Sequence, residues 1–272
     1  MNFASHPLAR ALRQHAADLA ACLRFYTRLP VPPMPFETAP FAMPDFSRIV
    51  RMLPLAGALI GALAALVLGL AMLAGLPPLI AATLALASMV VASGALHEDG
   101  LADCADGFGG GTTLARKLEI MKDSRIGTYG AAALVLSLLL RVMALGTLAG
   151  HGFWQAALGL VAAAGISRAL GLLPLVLLAP ARMDGAGFAA GRPSPEALKL
   201  AAGLALALAL LPLLAGVPVR AVLAAGFWAG WLAYGMVGLA KAQIGGQTGD
   251  VAGAAQQVAE VGFLLGMVAG TG

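Results

Sequence analysis

The chain has 272 residues, 60% of them hydrophobic and only 11% charged, with 17 Lys and Arg against 13 Asp and Glu. Its mean hydropathy is +0.88, whereas a soluble globular domain carries roughly 25% charged residues. The soluble class is therefore excluded and an integral membrane protein is expected, rich in the alanine and glycine that let helices approach closely in lipid. Cys22 and Cys104 match no metal-ligand spacing and suggest no disulfide framework.

Residues 1–30 have arginines throughout and no clean apolar core, so they do not read as a cleavable signal. They read as an amphipathic helix: Leu8, Leu12, Leu19, Leu23 and Tyr26 share a face, and Arg10, Arg13, Arg24 and Arg28 supply positive charge. Such a helix can lie on an anionic bilayer surface or pack on the protein's own bundle, and both readings stand. Residues 1–53 are expected to form a cytoplasmic or interfacial segment and 54–272 a helical bundle, the whole chain making one integral-membrane domain.

Seven apolar stretches approach the roughly 20 residues that a hydrocarbon core requires. They lie near 54–75, 77–96, 130–150, 153–179, 197–215, 218–240 and 251–270. The last is the weakest, because Gln256, Gln257 and Glu260 interrupt it. The fold class is thus all-α, a polytopic transmembrane bundle of about seven spans with cytoplasmic polar loops. Basic residues set the orientation. Segments 1–53, 97–129, 180–196 and 241–250 collect nearly all of them outside the spans, while the opposite turns have only Arg220 nearby. Arg141 and Arg168 fall inside spans, where a charge faces the bundle interior and pairs, or snorkels. Arg168 is the better candidate for an anionic substrate. The small residues of 57–69 are a candidate surface for a homodimer.

Between the second and third spans runs HEDGLADCADGFGGG at 97–111, followed by KLEIMKDSRIGTYG at 117–130. On a helix, Asp99, Asp103 and Asp106 are spaced by four and three and fall in one stripe, with Glu98 well off it. Three carboxylates on one face repel unless a cation joins them, and a hard divalent ion such as Mg²⁺ takes oxygen ligands and binds jointly with substrate phosphates. The pattern points to phosphoryl-transfer chemistry. Cys104 is a poor ligand for such an ion. Lys122 and Arg125 can hold phosphate oxygens, and Asp123 can add a metal ligand or fix Arg125. GGQTGDVAGAAQQVAE at 245–260 offers Thr248, Asp250 and Glu260. Its helix start is either a weak anion site or simply capped by Asp250.

HEDGLADCADG, MKDSRIGTYG and GGQTGDVAGA, in this order in a polytopic chain, resemble the cobalamin synthase family, adenosylcobinamide-GDP ribazoletransferases. FYTRLPVP at 25–32, RMLPLAGALIG at 51–61 and ARMDGAG at 181–187 extend the resemblance over nearly the whole chain. Glu98 departs from it where an apolar residue is expected, and Cys104 where a small hydroxyl is. The resemblance implies an enzyme of the bacterial inner membrane with a cytoplasmic, Mg²⁺-dependent site. It would join adenosylcobinamide-GDP to α-ribazole or its 5′-phosphate and release GMP. Asp99, Asp103, Asp106 and Asp123 are then the expected metal ligands, with Asp103, Asp106 and Arg125 catalytic and Asp106 the candidate general base. Lys122, Arg125, Thr248, Asp250 and Arg168 are expected to line the phosphate pocket, and His97 is either a proton relay or structural. No nucleic-acid partner is expected. Two other readings compete: a CDP-alcohol phosphotransferase, weakened because no Ala-Arg pair follows Gly100, and a transporter, weakened because the acids gather at one boundary.

Overall fold

The computed structural model describes residues 7–271, so the first six residues of the N-terminal segment lie outside the described residues. Among the described residues there are helices and loops, with an isolated backbone bridge between Pro180 and Gln247 as the only extended pairing.

Helix α1 (Pro7–Tyr26) docks by its second half. There Asp18 is buried and bound by Arg48 at 3.0 Å and Arg51 at 2.5 Å, and the Cys22 thiol donates to the Ile49 carbonyl at 3.0 Å. Leu8 and Leu12, in the first half, remain exposed. The two readings of this helix thus divide along its length, with packing on the bundle holding for the part beyond Asp18. Arg24 then ties the Pro-rich connection together, pairing with both Glu37 oxygens at 2.8 Å and reaching three carbonyls.

Helix α2 (Phe46–Ile49), capped by Asp45, passes through a tight turn into α3 (Leu53–Leu73). The small residues of α3 serve contacts within the chain: Gly57 meets the backbone of Ala164, and a Cβ on Gly61 would come 2.9 Å from the Val161 Cα. The outward face of α3 carries Leu59, Leu63, Leu66 and Leu70 instead. The glycine stripe proposed for a dimer is therefore occupied by α8 (Phe153–Leu170) of the same chain.

The stretch expected as one span at 77–96 is broken. Helix α4 (Pro78–Ser93) and α5 (Leu96–Gly110) meet at 89°, because Gly94 and Ala95 both adopt positive φ, +63° and +56°. Helices α6 (Leu114–Ile120) and α7 (Thr128–His151) follow, and short α9 (Leu173–Leu177) completes the span begun by α8. After α10 (Gly185–Ala190) come α11 (Pro195–Ala209), α12 (Val219–Ile244) and α13 (Gly249–Thr271). Among the described residues six segments are long and apolar enough to cross a membrane, or seven if α4 and α5 together count as one span.

The stretch that reads weakest as a span, α13, is the centre of the bundle: 78% of its apolar window is buried, against 17% for residues 195–215. Its polar residues face protein rather than lipid. Arg141 of α7 bonds Glu98 of α5 at 3.2 Å and Glu260 at 3.1 Å. Gln257 donates to Glu98 at 3.1 Å, and Gln256 donates to Glu260 and to Ser167, both at 2.8 Å. The opposite side of α13 is small, so that Gly262 and Gly266 pack directly on the backbone of α12 at Trp228 and Ala225.

Candidate functional site

Two glycines let α5 cross the start of α13 closely. A Cβ on Gly100 would stand 2.8 Å from the Asp250 carbonyl, and one on Gly253 would stand 3.4 Å from the His97 Cα. This crossing brings the acids of α5 to Asp250. The 179–187 loop is strapped to the same place by backbone bonds, Ala181 N–H to the Gln247 carbonyl at 2.9 Å and Gln247 N–H to the Ala179 carbonyl at 2.8 Å.

The aspartate stripe is split by this packing. Asp106 is buried and turned toward the start of α7, where its two oxygens accept the Gly127 and Gly130 N–H groups at 2.7 and 2.8 Å. It satisfies two of the orphan donors at a helix N-terminus, and no lone oxygen is left facing the other acids without a partner. Asp99 is exposed and Asp103 half-buried, and neither carboxylate makes a hydrogen bond or ion pair among the described residues. Asp99, Asp250 and Asp106 all act on the Asp103 carboxylate, with Arg182 the cation that offsets them. Among the described residues no three His, Cys, Asp or Glu side chains converge as a ready-made metal cage.

Asp250 shares one oxygen, Oδ2, between the Thr248 hydroxyl at 3.1 Å and Arg182 at 3.3 Å. Thr248 rather than Asp250 caps α13, its hydroxyl accepting the Val251 N–H at 3.3 Å. Arg182 also lies 3.5 Å from Asp184, which in turn holds Lys122 at 2.6 Å. A chain of alternating charge, Asp250–Arg182–Asp184–Lys122, thus runs outward from α13. The Arg182 Nη1 is buried and makes no hydrogen bond, so this guanidinium has a donor to spare. Lys122 holds the Asp184 carboxyl below the ordinary carboxylate range.

Asp123 and Arg125 are set apart from this cluster. They bond each other at 2.7 Å in the exposed turn before α7, and the guanidinium and Arg125 N–H pull the Asp123 carboxyl down to about 2. Arg168 is buried and donates to the Ala164 carbonyl at 2.8 Å, with its Nε unpaired.

A cavity of about 180 Å³ joins Arg168 to the acids. Asp99, His97, Arg168, Gln256 and Asp250 give it polar edges, and Phe25, Tyr26, Phe46, Leu53, Leu172 and Leu175 supply apolar walls. His97 is buried and lies nearly parallel to Tyr26, with ring centroids 6.5 Å apart and planes 16° apart.

In the sequence Arg182 and Asp184 carry no assigned role at the site, and Tyr26 figures only on the apolar face of the N-terminal helix. The charge imbalance of the α5 acids was the available signal for Arg182, since a cation had to face them. Nothing local marks Tyr26, which is 71 residues from its partner His97 along the chain.

Long apolar helices, with acids and cations gathered around a cavity where α13 begins, define a multi-pass membrane protein with a polar site at one end of its bundle. The model of the cobalamin-5-phosphate synthase family matches residues 18–268. The chain belongs to that family. It is 52% identical over 252 residues to a protein of Azorhizobium caulinodans, covering 93% of this chain and 95% of that one. It is 50% identical over 264 residues to one of Xanthobacter autotrophicus, covering 93% and 96%, and 45% identical over 253 residues to one of Mesorhizobium japonicum, covering 93% of each. All three are named adenosylcobinamide-GDP ribazoletransferase. No solved structure matches the chain significantly. The CDP-alcohol and transport readings gain no support from these matches.

Proposed function

We propose that this protein is an adenosylcobinamide-GDP ribazoletransferase of the bacterial inner membrane, with its site on the cytoplasmic face. The orientation is supported by the basic residues, which crowd the loops at the site end. The observation that carries the reaction is a contrast where α5 crosses the start of α13. Among the described residues the Asp99 and Asp103 carboxylates accept no hydrogen bond and form no ion pair, while Arg182, the cation that acts on Asp103, keeps an unbonded donor.

The donor set fits Mg²⁺, which is usually held by one or two carboxylates together with substrate phosphates rather than by an all-protein cage. Two carboxylates without a side-chain hydrogen bond meet that requirement, the neighbouring Cys104 being a buried thiol, and Asp99 and Asp103 would hold the ion. When bound, Mg²⁺ would neutralise charge developing on the diphosphate. Arg182 and Lys122 bind the diphosphate oxygens. The exposed Lys122–Asp184 pair is worth little by itself, so an incoming phosphate can take over its cation. Asp250, positioned through Oδ2 by Thr248 and Arg182, accepts the proton of a ribose hydroxyl on its other oxygen. That hydroxyl oxygen bonds to the phosphorus nearest the corrinoid arm, the bond from that phosphorus to the GMP oxygen breaks, and GMP leaves. The acceptor is α-ribazole or its 5′-phosphate.

The test uses purified protein in nanodiscs with adenosylcobinamide-GDP, α-ribazole phosphate and Mg²⁺. GMP and cobalamin phosphate should appear together and stop with chelator. Turnover of a CDP-alcohol pair in place of these substrates would overturn the proposal.

A further inference from the structure

The aromatic and apolar part of the 180 Å³ cavity has no part in phosphate chemistry, yet it opens onto the acids and Arg168. We infer that it is the base subsite of the acceptor, taking the planar dimethylbenzimidazole ring of a ribazole with the ribose directed at Asp99 and Asp250. This rests on the transferase reading above.

Four observations carry it. The volume is below the ~300 Å³ at which pockets for whole drug-sized ligands begin, so it suits one ring system and excludes a corrinoid or a complete nucleotide. Its walls are Phe25, Tyr26, Phe46, Leu53, Leu172 and Leu175, which favour a flat apolar ring and would leave the several polar edge groups of a guanine desolvated without partners. Tyr26 and His97 present near-parallel rings to it, with centroids 6.5 Å apart, close to the outer limit for ring pairs in contact. Finally, two of the polar groups that flank it have hydrogen-bonding capacity to spare: the His97 imidazole makes no hydrogen bond among the described residues, and the Arg168 Nε is buried and unbonded. A benzimidazole glycosylated at one nitrogen has one remaining ring nitrogen, an acceptor, which either group can satisfy. Asp99 and Asp250 line the same cavity, so a base seated on the apolar walls brings its ribose hydroxyls to the carboxylates.

Two experiments on the full-length protein in nanodiscs test this. In the first, free 5,6-dimethylbenzimidazole is added to the wild-type reaction. It should compete with the ribazole and not with adenosylcobinamide-GDP; competition with the corrinoid nucleotide would overturn the inference. In the second, ribazole binding is followed by its own fluorescence without the nucleotide, so the result does not depend on turnover and survives failure of the transferase reading. Ala190 lines the cavity, and Ala190→Leu should weaken ribazole about tenfold, the scale of one or two misfitting methylenes. An unsubstituted benzimidazole riboside should lose less. Tyr26→Leu, a second variant, should weaken both ribosides alike. Unchanged ribazole affinity in both folded variants, or a loss confined to the guanine nucleotide, would show that the cavity serves something else.

Discussion

A carboxylate whose two oxygens each accept a backbone N–H, as Asp106 does from Gly127 and Gly130, is first of all a helix cap. Three residues earlier on α5, Asp103 has no such bonds and faces other acids. The two positions should therefore respond to mutation in opposite ways. Asp106→Ala uncovers donors at the start of α7 and should cost about 1–2 kcal/mol, read as a lower thermal midpoint in detergent. Asp103→Ala removes a repelling charge, so it should leave the midpoint unchanged or raised while activity falls by 100-fold or more. Equal loss of midpoint in both would contradict this division. Spacing along α5 put Asp99, Asp103 and Asp106 in one stripe, but only the packing of α7 shows that Asp106 is already engaged. Ala95 is a further residue-scale case, since its φ of +56° costs a non-glycine residue roughly 1–2 kcal/mol. Ala95→Gly should raise the midpoint if the kink is as described.

At the scale of elements, the bundle depends on polar residues at the middle of its central helix. Arg141 bridges Glu98 and Glu260, so Arg141→Leu leaves two buried carboxylates uncompensated, a loss of roughly 3–5 kcal/mol. Folded yield should collapse, and adding Glu98→Gln should restore part of it; no recovery would mean that the pair does not share Arg141. The α5–α13 crossing is the second such point. Gly100→Val places a side chain against the Asp250 backbone, and should reduce turnover by separating Asp103 from Asp250 even in protein that folds. Length and hydropathy alone made most spans legible. The same criteria undervalued α13, because Gln256, Gln257 and Glu260 look costly until Arg141 and Ser167 are found facing them. They also missed the 89° break between α4 and α5: Gly94 is an ordinary helix stop, but nothing in an alanine announces a left-handed conformation.

Across the whole molecule, the charge asymmetry of the loops and the position of the site agree. Loops 111–113 and 180–192 lie at the site end, and the turns near Gly152 and Gly216 lie opposite. With Cys22 and Cys104 replaced by alanine, single cysteines in the first pair of loops should be labelled by an impermeant thiol reagent only after the cell membrane is opened. Cysteines at the opposite turns should be labelled in intact spheroplasts. The reverse pattern would move the site to the other face. Family membership was legible from three polar motifs in order. What could not be read was how they assemble: ARMDGAG carries no chemistry until Arg182 is seen between Asp250 and Asp184, and Tyr26 joins the cavity only through the fold.

The central claim, that Asp99 and Asp103 rather than Asp106 serve the metal and diphosphate, is tested most directly by titrating Mg²⁺ against the transfer rate of Asp103→Asn and Asp106→Asn in parallel with wild type. The account predicts that Asp103→Asn needs far more Mg²⁺ or fails to reach measurable turnover, while folded Asp106→Asn keeps the wild-type Mg²⁺ dependence. A shifted Mg²⁺ requirement in Asp106→Asn with a normal one in Asp103→Asn would contradict it.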